Sequence, residues 1–220
     1  MLTVTIWKIA EIMENSKRRD HWEEIYQTKE TEEVSWYQKS PKTSLELIQQ
    51  SDLPKTARII DMGGGDSLLV DNLLEMGFNN ISVVDISETA LNKSRERLGA
   101  KGADVNWIQG NATRFHPPGK FDLWHDRATF HFLIHENKID RYLQTAYQHI
   151  NPEGILLLGT FSEKGPHQCS GLPVNQYSSK SLVRRLEKQF EIITCKTIDH
   201  FTPTGSAQNF LYCIFRRKSP

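Results

Sequence analysis

The chain reads as an α/β domain in three layers, built on a seven-stranded, mostly parallel sheet that a C-terminal antiparallel hairpin closes. Three observations predict this. Short apolar runs alternate with amphipathic stretches from Arg58 to Phe161. Glycines or capping residues mark the joins. Two strand-like runs then end the sequence with no helix between them. Strands and helices alternating at this spacing require right-handed crossovers, and crossovers of that hand make parallel neighbours.

The segment Ser16 to Thr28 places Trp22, Ile25 and Tyr26 on one helical face. Ser40-Pro41 opens a second helix, whose apolar residues are Leu45, Leu47 and Ile48. The run Arg58-Ile-Ile-Asp-Met62 stops at glycines and predicts the first buried strand. Ser67 to Met76 predicts a helix that Gly77 ends. Ile81 to Asp85 is the second strand, and Ser87 can cap a helix running to Leu98 before Gly99. Val105 to Gln109 and Phe121 to Trp124 predict strands three and four. Asn137 to Ile150 is helical, and Ile155 to Phe161 is a fully apolar fifth strand. Phe190 to Ile198 and Asn209 to Arg216 flank a loop containing Thr202-Pro-Thr-Gly205. Lacking a crossover, they pair antiparallel.

Composition narrows the partners. A chain of 220 residues buries one core unaided. Basic and acidic residues balance at 27 each, so no global field draws the protein to nucleic acid. No apolar run reaches the roughly 18 residues that span a bilayer, so no membrane partner is expected. Cys169, Cys195 and Cys213 are odd in number and widely spaced. They predict neither a disulfide framework nor a metal site, and a reducing cytoplasm is the expected location. Met1 to Ala10 has no basic leader and makes a poor signal peptide. Met13 is an alternative start, so the first dozen residues read as a frayed extension.

The strongest motif is Asp61-Met-Gly-Gly-Gly-Asp66, directly after the first strand. Glycines such as Gly63 and Gly65 let backbone approach a ligand closely. A dinucleotide fingerprint would need a third glycine where Leu68 stands, so that pattern fails. An acidic residue before the glycines suits a cationic ligand, and Asp61 can hold an ammonium directly or through water. Asp85, closing the second strand beside Ile86, can accept both ribose hydroxyls of a nucleoside. Its plainer role is an acid favoured at a helix N-terminus. Gly110-Asn-Ala112 follows the third strand, where an adenine would lie; Asn111 can meet its edge or simply form a turn. Asp126, in His125-Asp126-Arg127, stands at the carboxyl edge of strand four, positioned for a ligand ammonium or for an ion pair with Arg127.

In this order the motifs resemble the class I methyltransferase superfamily, from Arg58 to Arg216. The resemblance implies a Rossmann-like fold, S-adenosylmethionine as cofactor and transfer of a methyl group. His21-Trp-Glu-Glu-Ile-Tyr26 and Val34-Ser-Trp-Tyr-Gln38 are similar to the opening of the elongation-factor lysine methyltransferase-like group. That similarity implies that Trp36 and Tyr37 form a lid over the cofactor, where an aromatic face attracts a sulfonium by roughly 0.5–2 kcal/mol. Core packing is the alternative role for both. On this reading residues 1–57 supply helices and lid, and residues 58–220 the sheet core of a single domain. Segments such as Phe121-Asp-Leu-Trp-His-Asp-Arg127, Gly165-Pro-His-Gln-Cys-Ser-Gly-Leu-Pro173 and His200-Phe-Thr-Pro203 resemble a bacterial group of small methyltransferases, which supports the cofactor and leaves the acceptor open.

Acceptor residues are expected on loops at the carboxyl edge. His131 and His200 are the preferred proton acceptors, against a structural hydrogen-bonded role for each. Cys169 sits in a segment too glycine-rich and polar for a strand, which reads as a lid loop; a small buried thiol is the alternative. No metal is expected. A small-molecule acceptor leads, because little sequence is inserted into the fold. A protein lysine substrate and a non-catalytic cofactor-binding module are the competing readings.

Overall fold

The computed structural model describes the backbone of residues 2–219 and the side chains of residues 13–219. In chain order the elements are α1 (Leu2–Thr28), α2 (Lys42–Gln50), β1 (Ile59–Met62), α3 (Leu69–Glu75), β2 (Ile81–Asp85), α4 (Glu88–Leu98), β3 (Asn106–Gln109) and β4 (Phe121–Arg127). They continue with α5 (Glu136–His149), β5 (Ile150–Phe161), β6 (Gln168–Cys169), β7 (Leu172–Pro173), α6 (Ser179–Leu186), β8 (Phe190–Phe201) and β9 (Ala207–Arg217).

Seven strands form one sheet in the order β3-β2-β1-β4-β5-β9-β8. The first five are parallel, and β9 runs antiparallel between β5 and β8. The order reverses between β1 and β4, and crevices for ligands open outside the carboxyl ends of strands at such a reversal.

Strand period two divides the core. Ile59, Leu123 and Leu157 face Leu47, Leu73 and Leu91 from α2, α3 and α4. Ile60, Trp124 and Leu156 face Ile139, Tyr142 and Leu182 from α5 and α6. All twelve are 5% exposed or less, so each contributes about 1.5–3 kcal/mol by burial.

Two joins follow the expected chemistry. Ser87 Oγ accepts from the Ala90 amide at 3.1 Å and caps α4. Gly77 follows α3 at φ +88°, a left-handed conformation that favours glycine. A third join was invisible in the sequence. Glu23 of α1 accepts from the amides of Glu88 (2.7 Å) and Thr89 (3.2 Å) and from Ser87 Oγ (3.0 Å). Burial alone would raise the Glu23 carboxyl, but these donors outweigh it and hold the group below the usual range. A carboxylate on the positive end of α4 fastens α1 across the edge of the sheet.

Four expectations are corrected. Cys195 and Cys213 are joined in a disulfide, because the β8–β9 register sets them opposite each other with Cα atoms 4.1 Å apart. Residues 168–173, expected to be loop, form a two-residue strand pair in which Cys169 faces Leu172. Strand β5 begins at Ile150, five residues early, and α6 was not anticipated. The frayed extension placed at residues 1–12 falls on side chains outside the described residues, though α1 starts at Leu2. Among the described residues no helix is long and apolar enough to cross a membrane.

Candidate active site

A cleft opens at the carboxyl ends of β1, β2 and β4. Its floor is the glycine turn after β1. The amides of Gly63 and Gly64 both donate to the Val84 carbonyl, at 2.7 and 3.1 Å, folding the chain back on itself. Gly63 holds φ +69°, and a Cβ there would lie 1.7 Å from Thr129 Oγ1. Gly65 holds φ +52°, and its Cβ would lie 2.5 Å from the Tyr26 hydroxyl. Side chains are excluded at both positions, so only bare backbone lines this surface.

Asp85 closes β2 at one end of the cleft and is 7% exposed. Burial pushes its carboxyl up to about 7, and the charges of Asp66 and Asp61 act in the same direction, against the Ser87 and Gly65 amides. One oxygen accepts from the Ser87 amide at 2.9 Å. Ile86, Asn111 and Ala112 line the same end. Asn111 has its oxygen taken by the Thr113 amide and hydroxyl, at 2.9 and 2.8 Å, in an Asx turn. Its Nδ2 donates to Asn15 of α1 at 3.0 Å. Backbone and Ala112 therefore make most of that wall.

The roof is aromatic. Trp22 stands edge-on to Trp36 (5.7 Å) and Phe132 (5.2 Å), and Tyr26 stands edge-on to Trp36 (6.0 Å). Arg18 and Trp22 of α1 join Trp36 in lining the cleft. Tyr37, the other half of the expected lid, lines a small separate cavity with Asp66 and Gln38.

The structure gathers Trp36, Gly63, Asp85, Ile86, Asn111, Ala112 and Cys169 around the cleft, with Gly65 in the turn beneath Tyr26. It places other expected residues elsewhere. Asp61 Oδ1 lies 2.7 Å from His125 Nδ1, whose Nε2 lies 2.9 Å from Ser44 Oγ, and all three residues are buried beside the turn. Asp126 is fully buried beneath it. It accepts from the Thr129 amide (3.1 Å), the Phe130 amide (3.0 Å) and the Tyr142 hydroxyl (2.5 Å), which shape the turn after β4. Burial pushes the Asp126 carboxyl up to about 6 despite these donors.

The acceptor-side residues are equally specific. Burial, with Arg127 adding to it, pushes the His131 imidazole down to about 3, so the ring is neutral. His131 Nδ1 accepts from the Phe161 amide at 3.3 Å. His200 Nε2 donates to the Ser35 carbonyl at 2.7 Å and so props the segment carrying Trp36. Burial raises the Cys169 thiol, which keeps it protonated where it lines the cleft.

Sequence reasoning did not name Arg18, Trp22, Tyr26, Arg127, Thr129 and Phe132 as site residues, yet all of them line the cleft. The shared helical face of Trp22 and Tyr26 was the available signal. The described residues include no cluster of three or more His, Cys, Asp or Glu arranged to hold a metal.

The donor set fits a nucleoside with a cationic substituent. A buried carboxylate lines one end, unobstructed backbone forms the floor, and aromatic faces cover it. Comparison with known proteins agrees. Residues 59–154 match the model of a methyltransferase domain. The chain is 25% identical over 126 residues to the mouse eEF1A lysine and N-terminal methyltransferase, covering 56% of this chain and 16% of that protein. It is 25% identical over 113 residues to malonyl-[acyl-carrier protein] O-methyltransferase 2 of Ilyobacter polytropus, covering 51% and 42% respectively. The match thus spans under half the length of either relative. A methyltransferase structure from Anabaena variabilis superposes with a TM-score of 0.71 at 15% identity, over 91% of this chain and 95% of that one, and shares the fold. Residues 59–154 thus match a methyltransferase domain, and the chain shares the fold of solved S-adenosylmethionine-dependent methyltransferases.

Proposed function

We propose that this protein transfers the methyl group of S-adenosylmethionine to a small-molecule acceptor. The observation that carries the reading is the roofed cleft. Helix α1 and Trp36 cover the carboxyl edge, and Glu23 pins that cover to α4. The cleft is concave and mostly apolar with a few convergent polar groups, as small-molecule sites are.

S-adenosylmethionine supplies an electrophilic methyl group on a sulfonium. Asp85 would accept from the ribose hydroxyls, Ile86 and Ala112 would flank the adenine, and the turn at Gly63 and Gly65 would support the amino-acid end. Trp36 would face the sulfonium. Asp61 and Asp126 act one layer back, holding His125 and the Thr129–Phe130 turn in place. Methyl transfer needs alignment of acceptor and cofactor, and exclusion of water, more than it needs a base. The three acceptor-side candidates fit that economy: His131 is neutral and buried, His200 donates to Ser35, and Cys169 is protonated. None of the three is assigned as a base.

A protein lysine acceptor is the second reading, favoured by the likeness to the mouse eEF1A methyltransferase. Labelled S-adenosylmethionine incubated with the protein and a dialysed bacterial extract, or with its diffusate, separates the two. Label is expected in small molecules from the diffusate, with release of S-adenosylhomocysteine. Label in a protein band would support the lysine reading. Cofactor binding with no release from either fraction would make the chain a binding module.

A further inference from the structure

The end of the cleft beyond Gly63 carries a cation with an unmet donor, and assigning it a role rests on the methyltransferase reading. Arg127 is the last residue of β4. Its Nε donates to the Tyr212 hydroxyl at 3.0 Å and its Nη1 to the Trp36 carbonyl at 3.0 Å. The guanidinium carbon sits 4.9 Å from the centre of the Phe210 ring. Three anchors fix the group, and they leave Nη2 buried with no partner among the described residues. A buried charged donor without an acceptor is costly, so a water, an ion or a ligand is expected to complete it.

Nothing nearby supplies the missing charge. Asp126 is turned to Tyr142 and Asp61 to His125. Asp85 stands on β2, two strands from β4, which is about 10 Å at ordinary strand spacing. His131 is neutral, and with Nδ1 accepting from Phe161 its proton lies on Nε2, which also lacks a partner among the described residues. This region therefore offers no anionic group to Arg127, and a second guanidinium, Arg18, lines the same cleft. A lysine ammonium would meet like charge here.

We propose that Arg127 Nη2 anchors the carboxylate of the methyl acceptor, whose apolar body packs among Trp22, Trp36 and Phe132. The acceptor class is a small monocarboxylate, aromatic or aliphatic. The carboxylate on the cofactor's own amino-acid end shares this chemistry, so the experiment must separate the two sources.

Protein saturated with S-adenosylhomocysteine is titrated with benzoate, phenylacetate and hexanoate, each against its amide. The acids are expected to bind about tenfold more tightly than the amides, as a charge-assisted hydrogen bond predicts. Arg127→Met should erase that preference and Arg127→Lys should keep most of it. The acid-to-amide ratio is read within each variant, so that any loss common to both ligands from releasing Trp36 cancels. Equal binding of acids and amides by the wild type would overturn the proposal, whether or not the variants fold. So would a loss of about tenfold or more in S-adenosylhomocysteine affinity on Arg127→Met, with Arg127→Lys restoring it, since Arg127 would then serve the cofactor. Failure of the wild type to bind S-adenosylhomocysteine at all would remove the methyltransferase reading, and this inference with it.

Discussion

Replacing Asp85 with alanine is expected to weaken S-adenosylhomocysteine binding by about 2–4 kcal/mol, roughly 30- to 1,000-fold in Kd. Both ribose hydroxyls would lose a charged acceptor, and Asp85 is the sole carboxylate among the described residues lining the cleft. The same residue sets a pH dependence. In the free protein its carboxyl is raised to about 7, so below that pH it carries a proton. Ribose hydroxyls donating to the ionised form would lower the pKa in the complex, so binding would release a proton. Affinity should therefore rise with pH up to about 7 and then level off. At pH 6 it should be about tenfold weaker than at pH 8. For the free protein the sign is opposite. A carboxyl raised on folding destabilises the folded state once ionised, so this contribution improves as pH falls from about 7 toward the unfolded value. Binding titrations and thermal melts of wild type and Asp85→Asn across pH 5.5–8.5, about 1.5 units to either side of that value, check the two statements in turn. The variant should bind weakly and without this pH dependence. Wild-type affinity in Asp85→Ala would take Asp85 out of the site.

Replacing Gly63 with valine is expected to abolish cofactor binding and to cost the fold about 3 kcal/mol or more. Two independent penalties combine. At φ +69° a β-branched residue is strained, and its Cβ would fall 1.7 Å from Thr129 Oγ1, which cannot be relieved without moving the turn after β4. That turn is held by Asp126 through two amides, so the damage should spread to the acceptor side. Gly77 is the control. It also has positive φ, +88°, but a Cβ there meets nothing nearer than Lys55 at 3.9 Å. Gly77→Ala should lower the melting temperature modestly and leave cofactor affinity unchanged. Titration and thermal melting of both variants distinguish a binding defect from instability. Full affinity in Gly63→Val would detach the glycine turn from the cofactor.

These two positions were legible in the sequence because local patterns define them. The run Ile59 to Met62 ending in glycines, and Ile81 to Asp85 followed by the Ser87 cap, each place a residue by its neighbours alone. The parallel core and the closing hairpin follow from the same periodicities. What was not legible depends on contacts between distant segments. Asp61 reads as a cofactor ligand until β4 brings His125 alongside, 64 residues away, and Asp126 likewise until α5 brings Tyr142 to it. Three separated cysteines give no hint that one strand register joins Cys195 to Cys213. The roof is the largest case. The pattern Trp22–Tyr26 predicted an apolar face, but Glu23 decides where α1 lies, by capping a helix some 65 residues further on. Arg127 was read as a partner for Asp126, whereas its guanidinium reaches Tyr212 and Trp36 and turns to the cleft.

The central claim, that this cleft binds S-adenosylmethionine, is tested most directly by calorimetric titration of the purified protein with that cofactor, with NADH as the control. One site of micromolar affinity for S-adenosylmethionine is expected, with no binding of NADH. Binding of NADH alone, or of neither compound, would contradict the claim.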